Sequence, residues 1–302
     1  MKMKKRIAVL APIMIATSIF THGLSAQGPI DGFFSKKGKA SISLSYLSGN
    51  YDEFYVGGEE VSPVPAHNEI DQTIYSLYAT YAITDNIAVI GNLPYIQKEG
   101  NGSADPINGT TEQSDFQDIS AFVKWAPYIK ELPNGTMTYI VALGGSIPLN
   151  YEPSGILSNG SGAPGIDGKL GLQYKNNSGF FAMVIGGYGL RGKSDNNFNL
   201  GTGDKFDAPD VVNAVVKIGF AAKNFYLDAF LDSQTSLNGV DIMGPGFAGN
   251  FPETIVNYSK IGGNLYIPFT NFIGASFGGG AIIDGRNIGK NTYYNGGITL
   301  NL

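Results

Sequence analysis

From residue 39 onward, hydrophobic and polar positions alternate with a period of two, in about twelve segments. In "ASISLSY", Ile42, Leu44 and Tyr46 stand against Ser41, Ser43 and Ser45; in "TIYSLYATYAI", Tyr75, Leu77, Ala79, Tyr81 and Ile83 stand against Ser76, Tyr78 and Thr80. "IDGKLGLQY" sets Ile166, Leu170, Leu172 and Tyr174 opposite Asp167, Lys169 and Gln173. "VVNAVVKIGF" sets Val212, Ala214, Val216, Ile218 and Phe220 opposite Asn213 and Lys217, and "FYLDAFLD" sets Phe225, Leu227, Ala229 and Leu231 opposite Asp228 and Asp232. Successive side chains of a strand point to opposite faces, so each segment has one oily and one polar face. The period predicts an all-β chain and excludes a helical one. Further strands are predicted near residues 87–97, 119–130, 136–149, 179–191, 258–269 and 272–284, and the last is "YNGGITLNL", 294–302.

The connections alternate as well. Long stretches rich in Gly, Asn and Pro follow strands 1, 3, 5, 7 and 9, from "NYDEFYVGGEEVSPVPAHNEID" to "VDIMGPGFAGNFPETIVN". The pieces "TDN", "KELPNG", "KNNSG", "KN" and "TN" follow strands 2, 4, 6, 8 and 10. A β-sandwich has no reason to sort loop length by parity, whereas an outer-membrane barrel has short periplasmic turns at one end and long extracellular loops at the other. Tyr81, Trp125, Tyr139, Tyr174, Phe181, Phe220, Phe225 and Phe269 lie beside short turns on the face read as apolar. Such a gathering predicts the aromatic girdle that amphipathic rings form at headgroup level. The expected fold is therefore a single closed antiparallel transmembrane β-barrel of about twelve strands over residues 39–302. Its last strand closes on its first, which leaves no free edge. Asn295, Gly297, Leu300 and Leu302 resemble the ending that the barrel-assembly machinery recognises, with Leu302 where an aromatic residue is usual.

The other terminus supplies an address. Lys2, Lys4, Lys5 and Arg6 precede an apolar stretch from Ile7 to Phe20, and Leu24, Ser25 and Ala26 offer a small-residue cleavage site. Residues 1–26 thus read as a cleaved secretory signal peptide, and residues 27–38 as an N-terminal periplasmic segment. The apolar stretch is short for a spanning helix of about 20 residues. The chain has no Cys, which excludes disulfides and a lipid anchor on cysteine. The expected location is the outer membrane of a Gram-negative bacterium. Without the four basic residues of the signal, 16 of the 20 Lys and Arg remain against 25 Asp and Glu, a balance that argues against nucleic acid as a partner.

"GPIDGFF", "YDEFYVG", "YAITDNIAVIGNLPYI" and "SDFQDISAFVKW" are similar to the outer-membrane proteins named after the meta-pathway of phenol degradation. The resemblance runs through most of the mature chain. It implies a barrel of about twelve strands that admits small hydrophobic or aromatic compounds, and it brings no catalytic motif.

Enzyme chemistry fails on inventory. The expected mature chain has one His, His67, beside "PVPA" in the first long loop, with no Ser at a spacing that suggests a nucleophile and base. Glu69 and Asp71 are near, and His67 reads as a solvated loop residue. Asp52, Glu53, Glu59, Glu60, Glu69 and Asp71 offer hard oxygen ligands but match no calcium loop, so no metal or cofactor is expected. Alternation turns Lys124, Asp167, Lys169, Gln173, Lys217, Asp228, Asp232, Lys260 and Asn264 inward as a lumen lining. Lys217 and Asp232 fall close enough on neighbouring strands for a cross-strand pair. Two functions fit: a passive channel for small hydrophobic or aromatic solutes, or a plugged structural or surface-interaction barrel whose long acidic loops do the work. Width leaves both open, since about eight strands fill their interior with side chains and roughly 16 leave a water channel. Expected partners are outer-membrane lipid, the barrel-assembly machinery and, for a channel, a small hydrophobic solute.

Overall fold

The structure is a computed structural model that describes residues 30–194 and 205–302. The expected export signal over residues 1–26 and the middle of the fourth long loop lie outside the described residues. The long strands are β1 (Ala40–Tyr51), β2 (Ile70–Thr84), β3 (Ile87–Gly100), β4 (Ile119–Leu132), β5 (Gly135–Ile147) and β6 (Gly165–Asn176). They continue with β7 (Phe180–Arg191), β8 (Val211–Ala221), β9 (Tyr226–Ser236), β10 (Asn257–Pro268), β11 (Ile273–Arg286) and β12 (Thr292–Asn301). Each pairs antiparallel with its neighbours in sequence, and β12 returns to β1 in a register running from Ser41 opposite Asn301 to Asn50 opposite Thr292. The alternation in the last segment thus closes a twelve-stranded barrel. No strand edge is left to face an apolar solvent with unpaired amides.

The solvation is inside out. Outward Leu44 and Leu170 are 60% and 67% exposed, while inward Ser43 and Lys217 are 2% and 3% exposed. A soluble barrel would reverse these values; a lipid-facing one requires them. Prolines sit where the ladder can spare an amide. Pro127 lies in the bulge of β4 between Trp125 and Tyr128. Pro94 marks the point where β3 exchanges β4 for the short strand Glu112–Phe116. The Pro94 carbonyl there accepts a hydrogen bond from the Gln117 amide.

The two ends differ. Tight turns join β2 to β3, β4 to β5, β6 to β7, β8 to β9 and β10 to β11. At the other end the long loops fold back over the mouth as a cap with an apolar core of Phe54, Val64, Ile70, Leu157 and Ile242. The first of them carries a small hairpin of Phe54–Val56 and Glu59–Val61.

The sequence leaves open whether the segment before the first strand enters the pore. Residues 30–34 lie inside the barrel. Ile30 is buried against Ile90, Phe122, Ile140, Met183 and Ile185.

Candidate functional site

The chain enters the lumen from the short-turn end. Lys36 and the Lys37 amide bind the Asp85 carboxylate in the β2–β3 turn, at 3.3 and 2.7 Å. Further in, Phe33 packs edge-on against Phe181 and Tyr226, with ring centroids 5.1 and 5.8 Å away. The Gly32 amide donates to Gln173 Oε1 at 3.1 Å. Lys124 Nζ pairs with Asp31 at 2.7 Å, donates to the Phe33 carbonyl at 2.8 Å and lies 4.5 Å from the centre of the Phe34 ring. Side-chain contacts, not a strand ladder, thus fasten residues 30–34 inside the barrel.

The inward polar residues form a chain of charges through the lumen. Arg191 forks onto Asp167, at 3.0 and 3.2 Å. Lys169 lies 5.9 Å from the Phe122 ring centre, and Lys260 pairs with Asp232 at 3.0 Å. Lys217 pairs with Asp228 at 3.6 Å, and Asp228 also accepts from the Tyr226 hydroxyl at 2.6 Å and from Asn264 Nδ2 at 2.9 Å. The expected pairing of Lys217 with Asp232 is corrected here. Phe230 stands opposite Lys217, so both aspartates are diagonal to it. Asp232, however, is directly opposite Lys260 on β10, which takes it and leaves Asp228 to Lys217.

A second correction concerns the aromatic residues. Tyr81, Trp125, Tyr139, Phe225 and Phe269 are exposed on the outer wall beside the short turns, and Tyr174 and Phe220 are partly so. Phe181 is not among them: it is 0% exposed in the lumen, and its neighbour Phe180, 44% exposed, takes the outward position. Both faces of "FFAMVIGGYGL" are apolar, so alternation cannot tell them apart. The register decides it: Met183, two residues on, stands opposite inward Lys217 and Gln173, so Phe181 faces the lumen, where Phe33 packs against it. The same masking hid the apolar lumen wall of Ile90, Phe122, Ile140, Met183 and Ile185. At the C-terminal strand, Leu300 and Leu302 face outward, whereas Asn295 and Gly297 share the inward side with Thr299.

Between the cap and the lumen lies a cavity of about 450 Å³. All five long loops and the shorter connection from β11 to β12 contribute to it, with Tyr51, Phe54, Ile242 and Phe251 as apolar wall and Lys98, Asp118 and Arg191 as charged groups. His67 belongs to the cap and corrects the expectation of a solvated residue, because it is 0% exposed. Its Nε2 stands 3.5 Å from Asp105 Oδ2 without hydrogen-bond geometry, and Asp105 also accepts from the amides of Ile107 and Ile156. Burial opposes ionisation of Asp105, but His67 and the two amides outweigh it and hold the carboxyl below its ordinary range. His67 thus ties the first loop to the second and third. Among the described residues no cluster of side chains is arranged to hold a metal ion.

No family model matches the chain, and no curated protein matches its sequence. Solved structures do match. An outer membrane channel from Pseudomonas putida F1 superposes with a TM-score of 0.70 at 15% identity, covering 91% of this chain and 99% of that one. The translocator domain of the autotransporter NalP from Neisseria meningitidis follows at 0.45, with 13% identity over 88% and 89% of the two chains. The NanC porin gives 0.47, with 9% identity over 86% and 98%. The first match shares the fold of an outer-membrane β-barrel; the other two are too loose to add to it.

Proposed function

We propose that the protein is an outer-membrane channel for small hydrophobic or aromatic solutes, occluded in this state by residues 30–34. The observation that carries the reading is the apolar stripe inside the lumen. Ile90, Phe122, Ile140, Met183 and Ile185 face inward, with Ile30 and Tyr78 packed against them. A porin for polar solutes keeps its interior polar; this interior carries an apolar patch among its charges. When the N-terminal segment withdraws, an apolar solute finds a surface to slide along. The ion pairs Arg191–Asp167, Lys217–Asp228 and Lys260–Asp232 lie within the wall and do not involve that segment. The sequence resemblance and the fold shared with a channel support the same reading.

Uptake of a radiolabelled apolar aromatic compound such as toluene, by cells carrying the protein in their outer membrane, tests it against cells lacking the protein. Several-fold faster entry is expected. Equal entry would leave the plugged structural barrel as the better account.

A further inference from the structure

The cavity under the cap holds a cation that no described carboxylate neutralises. Lys98 projects from the end of β3, and its Nζ donates one hydrogen bond, 2.5 Å long, to the Ser158 carbonyl of the third long loop. Among the described residues no carboxylate pairs with it. The side chain is half-buried, and the surface it keeps lines the cavity. Of the other charged groups on the wall, Arg191 pairs with Asp167, and Asp118 accepts from the Tyr151 hydroxyl at 2.6 Å; neither is bonded to Lys98. A half-buried ammonium without a counter-charge is a ready partner for an incoming anion. Lys98 has three donors and uses one on Ser158. The same wall leaves the Thr254 hydroxyl buried without a partner, a donor that the chain itself does not use.

We propose that this cavity binds an organic monoanion with a compact apolar body, a carboxylate being the simplest case. Its head group pairs with Lys98, and its body lies against Phe54, Ile242 and Phe251. One ammonium matches one negative charge, and a charge-assisted hydrogen bond is stronger than a neutral one. A volume of about 450 Å³ accommodates an acid of this size. The inference deepens the channel reading, on which it rests only in treating the cavity as the first station of the solute.

Equilibrium dialysis of the whole protein in lipid nanodiscs, with empty nanodiscs as the blank, tests the site using benzoate and its neutral analogue benzamide. Benzoate is expected to bind about ten-fold more tightly than benzamide. Lys98→Met, which keeps the apolar stem, should bring the two within about two-fold of each other, and Lys98→Arg should restore the preference. Unchanged heat-modifiable gel migration establishes that each variant is folded. Equal binding of the two probes by the unaltered protein, or a preference that survives Lys98→Met, would overturn the proposal and leave a hydrated lysine only. Benzoate binding without entry of apolar aromatics into cells would retain this site and reject the channel.

Discussion

Gly32 controls the seating of the occluding segment. A Cβ built there would stand 2.6 Å from Gln173 Cδ and 2.7 Å from Gln173 Cβ, and the second of these atoms cannot swing away. Gly32→Val is therefore expected to unseat residues 30–34 and raise single-channel conductance several-fold in planar bilayers; conductance at the unaltered level would show that the segment tolerates displacement by another route. Phe181 and Phe180 make a second residue-scale contrast. Phe181→Ala removes a fully buried ring from the cluster with Phe33 and Tyr226 and should cost about 3–5 kcal/mol. Phe180→Ala, on the outer wall, should cost about 1 kcal/mol or less. Urea unfolding in lipid vesicles measures both, and equal losses would return Phe181 to the outer face. The sequence could not separate this pair, because one polar residue at 181 or 183 would have marked the inward side and none is present.

The elements divide into those held by ladders and those held by side chains. The closing strand belongs to the first group. Removing residues 298–302 unpairs Ser41 through Leu44 and should abolish heat-modifiable, compact migration, since each amide left facing lipid costs several kcal/mol. A truncated chain that still migrates as a compact barrel would contradict the assigned closure. The cap belongs to the second group and depends on Asp105. Because that carboxyl is depressed in the folded state, its stabilising contribution is complete above the ordinary carboxylate range and fades as pH falls through the lower folded value. Pepsin digestion of the intact barrel should thus leave the loops uncut at about pH 5 and nick them only below about pH 4. Asp105→Asn should permit cutting at the higher pH as well. Loop contacts of this kind carry no periodicity. His67, 38 residues before Asp105 and read as solvated, became legible only in three dimensions.

For the whole molecule, the barrel was legible because one physical constraint repeats along the chain. Every strand crosses an apolar slab and must present alternate residues to it, and every second connection is short. Ser41 to Tyr46 or Ile166 to Tyr174 each state that constraint alone. The inward polar residues followed from the same rule. Their partners did not, since Asp232 could choose Lys260 over Lys217 only once β10 lay beside β9. Nor did the occlusion, because residues 30–34 have no alternation to place them. The account makes those residues a removable stopper in a solute path, and deletion of residues 30–34 tests this most directly. Conductance of the folded deletion variant in planar bilayers is predicted to exceed that of the unaltered protein several-fold. A deletion variant that folds, inserts and conducts no more than the unaltered protein would contradict the channel and leave a barrel closed by its own ion pairs.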